Sequence, residues 1–246
     1  MNVELHEIFS SLQGEGPYTG TPMTFVRLQG CPFTCRWCDT PHALALHALH
    51  ARVETPPRSR TFAAHPNPVT AAQLNAWMTD FDDPWLAITG GEPLVQAAFL
   101  ASWLPTVHAA RRVLLETAGL QAQALAKVAP HVDVISMDLK LPSSTGMRAF
   151  WEEHAAFIRV AAQSGKERYA KIIVTHATTA EELATAMHLI QRHDPTLRVF
   201  LQPATATAHY AAAPDESQLT AWRQQCQGVL PNVAIGRQMH KAWNML

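Results

Sequence analysis

Short apolar runs alternate with helical patterns along most of this chain, and that rhythm restricts the fold more than any other feature. Segments 23–29, 85–89, 113–116, 132–136, 169–175, 197–202 and 233–236 read as strands, being short, rich in β-branched residues and bounded by turn residues. Between them, helical spacing covers about 93–103, a short stretch ending at Val128, and about 147–163, 179–192 and 216–227. Strands separated by helices predict βαβ units and a parallel sheet. Six such pairs are too few for a closed eight-fold barrel, whose usual ~250 residues would leave no room for the N-terminal section. The expected fold is therefore α/β, a partial (β/α)6 barrel of parallel strands, formed by a single domain over 1–246. One stretch, 41–68, breaks the rhythm with five histidine-or-proline clusters around His42, His47, His50, Pro56-Pro57 and His65, and reads as a variable loop insertion.

The 246 residues carry a net charge of −1 with 16% charged residues, so nothing suggests a nucleic-acid partner or an anionic membrane surface. No apolar run approaches the roughly 20 residues that span a bilayer. The start, Met1 to Glu7, lacks the basic flank and apolar stretch of a signal peptide, and clustered thiols fit a reducing compartment, so a cytoplasmic location is expected.

Three of the four cysteines lie within eight residues, Cys31-Pro-Phe-Thr-Cys35-Arg-Trp-Cys38, directly after the first strand run. Thiolates at this spacing can hold three irons of a cubane and leave the fourth open, whereas an electron-transfer cubane takes four cysteines. Two other readings stay open from spacing alone. His42 could complete a Cys3His zinc tetrahedron, or Cys226 could form a disulfide in an oxidising compartment. Cys226 stands alone in a helical pattern and reads as a packing residue.

Other residues with chemistry also follow strands. Arg27 sits mid-strand among apolar residues, where an unpaired cation is costly, and its fork of N–H donors suits a carboxylate. Gly90-Gly91-Glu92-Pro93 opens a helix where a ligand can approach the backbone. In barrels of this kind, ligand chemistry gathers at the carboxyl ends of the strands.

Together with Ser11 to Gly16 (Ser-Leu-Gln-Gly-Glu-Gly), Thr24 to Arg27, Cys38-Asp39-Thr40, Glu116-Thr117, Asp138 to Ser144 and Gln202-Pro203, these motifs resemble the 7-carboxy-7-deazaguanine synthase family of the radical S-adenosylmethionine superfamily. The order and spacing of the motifs carry the resemblance, which covers nearly the whole chain except 41–68.

The resemblance implies a lyase of the queuosine and 7-deazapurine route. It would convert 6-carboxy-5,6,7,8-tetrahydropterin to 7-carboxy-7-deazaguanine with loss of ammonia. A [4Fe-4S] cluster on Cys31, Cys35 and Cys38 would reduce S-adenosylmethionine, hydrogen would leave C6 of the pterin, and S-adenosylmethionine would be regenerated. Leu12, Gln13, Gly14, Glu15, Arg27 and Thr89 are implied to bind substrate. Trp37, Cys38, Asp39, Gly91, Glu92, Asp138, Leu139, Lys140 and Gln202 are implied to border S-adenosylmethionine. Thr40 is implied to ligate Mg²⁺, which prefers oxygen. Asp138-Leu139 departs from the Ser-Pro found in many members. A flavodoxin-like reductant and a homodimer also follow from the family. Two alternatives are a glycyl-radical activating enzyme, which shares the cysteine spacing, and a non-catalytic zinc module.

Overall fold

A computed structural model describes residues 1–205, 213–243 and 245. Its strands are β1 (Asn2–Val3), β2 (Leu5–Leu12), β3 (Pro22–Leu28), β4 (His50–Glu54), β5 (Phe62–Pro66), β6 (Val69–Thr70), β7 (Trp85–Gly90), β8 (Arg112–Thr117), β9 (Val134–Leu139), β10 (Glu167–Val174), β11 (Arg198–Pro203) and β12 (Val233–Ile235). The α-helices are α1 (Ala71–Met78), α2 (Ala97–Val107), α3 (Ala122–Val128), α4 (Pro142–Thr145), α5 (Trp151–Gln163), α6 (Ala180–His193), α7 (Glu216–Gln227) and α8 (Met239–Ala242). Ten strands form one sheet in the order β12-β11-β10-β9-β8-β7-β3-β2-β4-β5, and β1 pairs with β6 apart from it.

From β3 through β7, β8, β9, β10 and β11 to β12, every neighbouring pair is parallel. Helices α1, α2, α3, α5, α6 and α7 fall in turn between these strands. This is the expected α/β alternation, with one strand more than the six of the partial barrel.

Alternation of side chains along each strand divides the core in two. Outward residues such as Val26, Ile88, Leu115, Ile135, Leu139, Ile172 and Leu201 pack in one cluster with helix residues Leu100, Trp103, Phe157 and Met187. Inward residues form a second cluster that takes Phe9 from β2, Met23 and Phe25 from β3, Ala87, Leu114, Val134, Tyr169 and Phe200. Each parallel strand from β3 to β11 contributes to this inner layer. It closes the lower part of the concave face, as inward layers do in barrels.

Three elements depart from the expected pattern. Leu5–Leu12, outside the strand runs read from the sequence, is a strand antiparallel to β3. Segment 41–68 is mostly a β-hairpin, β4 and β5, that joins the sheet by parallel pairing of β4 with β2. Its proline and histidine clusters mask the alternation, and Glu54 stabilises the turn by accepting from Ser10 N at 2.9 Å and Arg60 N at 2.7 Å. Finally, β9 begins at Val134 and runs through Leu139, so Asp138 and Leu139 lie within a strand and not after it.

Candidate active site

The residues directly above the inner apolar layer are polar. Two positions beyond Phe25, Ala87, Leu114, Tyr169 and Phe200 stand Arg27, Thr89, Glu116, Lys171 and Gln202, and Asp138 stands four beyond Val134. The period of two along each strand therefore lifts all of these side chains onto one concave surface at the carboxyl ends of the sheet. They line a cavity of about 500 Å³. The loop after β3 adds Cys31, Cys35, Trp37, Cys38, Asp39 and Thr40, and the β2 end adds Leu12, Gln13, Gly14 and Glu15. Gly91 follows β7 into the same lining.

Buried charges alternate in sign across the floor. Lys140 Nζ lies 2.7 Å from Asp138 Oδ2, Lys171 Nζ lies 3.6 Å from Asp138 Oδ1, and Lys171 Nζ donates to Glu15 Oε2 at 2.6 Å. Burial alone would pull the Lys171 ammonium down, but Glu15 and Asp138 outweigh it and hold the group well above its usual value. Burial would likewise raise Glu15, yet Lys171 keeps its carboxyl below the ordinary range. Asp138 is held low against burial by Lys140 and Lys171, and Lys140 is held high against burial by Asp138. The set is ionised, and each charge faces its opposite. Lys171 is missing from the sequence-based assignment. Its signal is the one that marks Arg27, a cation in mid-strand among Ala170, Ile172 and Ile173.

Glu15 is a junction. Its Oε1 accepts from Gln202 Nε2 at 2.9 Å and from Gln238 Nε2 at 2.8 Å. The turn that carries it is closed by Gly20 N donating to Gln13 O at 2.7 Å, and Gln13 Nε2 donates to Glu116 Oε1 at 2.9 Å. The C-terminal helix docks here as well, with Met239 N donating to Gly14 O at 2.9 Å. A side chain at Gly14 would run into His240, which explains the glycine. Lys241 Nζ reaches Asp39 Oδ2 at 3.3 Å and, overriding burial, keeps that carboxyl low. Gln238, His240 and Lys241 also line the cavity, a contribution with no visible motif in the sequence.

Arg27 finds an internal acid, its Nε donating to Glu7 Oε1 at 3.0 Å, while it borders the cavity. Thr40 Oγ1 stands 4.0 Å from Cys38 Sγ. Lys140 Nζ lies 4.6 Å from the centre of the Trp37 ring, a cation–π contact.

Two expected residues lie outside this lining. Leu139 points outward into the helix-side core, because it alternates with Asp138. Glu92 is buried beneath the cavity, and its carboxylate is occupied by the chain itself. It accepts from Leu94 N at 3.0 Å, Thr117 Oγ1 at 2.8 Å and Ala118 N at 2.6 Å. Burial still raises its pKa. Glu92 ties β7 to β8 from below, so it is the Gly91 backbone that borders the cavity.

The donors suit the cofactors that the cysteine motif implies. The three thiols are free and half-buried, and burial raises those of Cys31 (to about 11) and Cys35. Thiolate ligation removes that cost by binding the deprotonated form. Cys226 is packed in the helix-side core, away from any disulfide partner. Gly91 is required by close packing against the cysteine loop, since a Cβ there would lie 2.6 Å from Gly30 O and 2.8 Å from Cys31 Cβ. Trp37 Nε1 and Gln202 Oε1 are buried without hydrogen-bond partners and offer a donor and an acceptor for a polar ligand.

No family model matches the chain. It is 34% identical over 249 residues to a 7-carboxy-7-deazaguanine synthase from Geobacter sulfurreducens, covering 99% of this chain and 98% of the relative. It is 31% identical to a synthase of the same name from Thermoplasma acidophilum, covering 80% of this chain and 81% of the relative. The crystal structure of QueE from Escherichia coli has a TM-score of 0.64 at 21% identity, covering 97% of this chain and 94% of that one. A radical SAM methyltransferase from Sphaerobacter thermophilus has a TM-score of 0.63 at 14% identity, covering 88% of this chain and 66% of that one. These two structures show the shared fold, and the two sequence relatives show more. The chain belongs to the 7-carboxy-7-deazaguanine synthase family of radical S-adenosylmethionine enzymes.

Proposed function

We propose that this enzyme converts 6-carboxy-5,6,7,8-tetrahydropterin to 7-carboxy-7-deazaguanine with release of ammonia, in queuosine and 7-deazapurine biosynthesis. The observation that carries the reading is that one cavity joins the three-cysteine loop to the Leu12–Glu15 turn, Arg27 and Thr89. Cys31, Cys35 and Cys38 would hold a [4Fe-4S] cluster, and the cluster with S-adenosylmethionine would supply the one-electron chemistry that begins hydrogen abstraction.

The remaining work falls to side chains. Glu15 accepts three hydrogen bonds from the chain, and a carboxylate offers about four such sites, so one is left for a pterin N–H. Leu12 and Gln13 supply backbone and shape beside it. Arg27 keeps N–H donors beyond the one given to Glu7 and would pair with the substrate carboxylate. Thr40 would supply the hydroxyl for Mg²⁺. Trp37, Asp39, Gly91, Asp138, Lys140 and Gln202 would border S-adenosylmethionine, with Glu92 acting beneath as an anchor of the Gly91 backbone.

The apolar residues Leu46 and Val95 are exposed beside Gly30, next to the cluster loop, which supports docking of a flavodoxin-like reductant there. A homodimer is carried by the family resemblance. A cytoplasmic location is supported by four free thiols, and no helix among the described residues is long and apolar enough to cross a membrane. The chain is read as one catalytic unit over 1–246, with 41–68 as an insertion.

Anaerobic turnover of cluster-loaded protein with the pterin, S-adenosylmethionine and a strong reductant tests the reading. Product without matching loss of S-adenosylmethionine is the expected result. Formation of 5′-deoxyadenosine with no deazaguanine product would refute the substrate. Removing divalent ions is expected to slow turnover, and undiminished turnover would count against Thr40 as a Mg²⁺ ligand.

A further inference from the structure

At the rim of the cavity, on the side formed by β2 and the 41–68 segment, His6, Glu7 and His42 bring three ligand atoms within 4.8 Å of one another. Consecutive strand residues normally point to opposite faces, so His6 and Glu7 should not meet. A bulge between Leu5 and Glu7 in the β2–β3 pairing resolves this. Leu5 and Ile8, three apart, both enter the helix-side core, and His6 is the extra residue turned toward Glu7. Bulges re-aim side chains in this way, often beside functional sites. His42 comes from the turn after Thr40, and its ring lies 4.7 Å from that of His6.

The hydrogen bonds fix the state of His6. With its amide oriented so that the nitrogen donates to Ala43 O and Ala45 O, Gln29 presents its oxygen to His6 Nδ1 at 3.1 Å. The Nδ1 proton is therefore the one donated, and Nε2 carries the lone pair. That Nε2 is buried without a hydrogen-bond partner and stands 4.0 Å from Glu7 Oε2. His6 is 8% exposed. A lone pair facing a carboxylate in a buried site calls for a positive centre between them. An outer amide that fixes the tautomer of a histidine is a common support for a metal ligand.

We propose that His6 Nε2, Glu7 and His42 form a binding site for a borderline transition cation of the Zn²⁺ or Co²⁺ type, separate from the cluster cysteines and from Thr40. The two guanidiniums decide the class of ion. Arg27 lies 3.0 Å and Arg52 3.6 Å from the Glu7 carboxylate, so charge alone does not hold a hard ion such as Mg²⁺ here. Two imidazole nitrogens bind by coordination and select zinc-like ions. Glu7 and His42 line the cavity, so the free coordination positions open toward it. Because Glu7 also holds Arg27, occupancy of the site is coupled to the residue proposed for the substrate carboxylate.

The test is titration of Co²⁺ into tag-free, cluster-loaded protein, anaerobically and with Mg²⁺ in excess, read by visible ligand-field absorption and calorimetry. The cluster occupies the three cysteines and Mg²⁺ any oxygen site, so neither takes up Co²⁺, and the ligand-field bands are read as the difference from the same cluster-loaded protein before cobalt is added. One Co²⁺ per chain is expected, and the exposed His42→Ala variant, whose cluster absorption should be unchanged, is expected to bind on the order of tenfold or more weakly. Absence of ligand-field absorption in the wild type, or equal affinity in H42A, would overturn the site. Neither readout depends on turnover, so it stands apart from the proposed reaction.

Discussion

His154 shows how one buried residue steadies the end of a strand. Its Nδ1–H donates to Gly119 O and its Nε2 accepts from Lys140 N, both at 2.9 Å, so the neutral ring links the loop after β8 to the end of β9. Burial lowers its pKa from 6.5 to about 4. The unfolded chain therefore binds a proton more readily between those values, and stability contributed by the neutral ring is full above pH 6.5 and lost as pH falls toward 4. The loss amounts to about 3 kcal/mol. Denaturant unfolding of wild type and H154Q between pH 7 and pH 4.5 should show a shallower acid dependence in the variant. Parallel curves would contradict it. The same scale shows what could be read from the sequence. Arg27 was legible because a cation in mid-strand demands an explanation, and Lys171 carries the same signal. Glu92 was legible as important but not in its role, since its three donors come from Leu94, Thr117 and Ala118, and two of these lie on or just after another strand.

Among elements, the parallel strands were the most legible, because their apolar runs are short and bounded, and α7 starts at Glu216 after an Asp215 cap that accepts from Gln218 N at 2.7 Å. The hairpin β4–β5 was hidden, since the alternation of β4 rests on only two apolar residues, Ala51 and Val53, and β5 at the sheet edge is half-exposed. Register between elements was also out of reach. It is set by contacts distant in sequence, such as Trp103 Nε1 on α2 donating to Asn75 Oδ1 on α1 at 2.7 Å. Trp103 is 1% exposed in the helix-side core. Replacing it with Ala leaves a cavity and an unpaired Asn75, and is expected to cost about 3–5 kcal/mol in denaturant unfolding. A loss under 1 kcal/mol would mean that α1 and α2 are not held together there.

For the whole molecule, the arrangement follows from one rule applied six times. An apolar residue low on each strand fills the inner layer, and a polar residue two or four positions later enters the cavity above it. The rule places Arg27, Thr89, Glu116, Asp138, Lys171 and Gln202 on one surface facing the cysteine loop. It does not place Gln238 and the α8 residues His240 and Lys241, which reach the site because this segment folds back onto Gly14 and Asp39. The central claim is that this surface holds the pterin within reach of the chemistry at the cysteine loop. Turnover of 6-carboxy-5,6,7,8-tetrahydropterin carrying deuterium at C6, followed by mass spectrometry of product and recovered S-adenosylmethionine, tests it most directly. Deuterium appearing in S-adenosylmethionine as product accumulates is the predicted result, and product formed with no label in S-adenosylmethionine would contradict it.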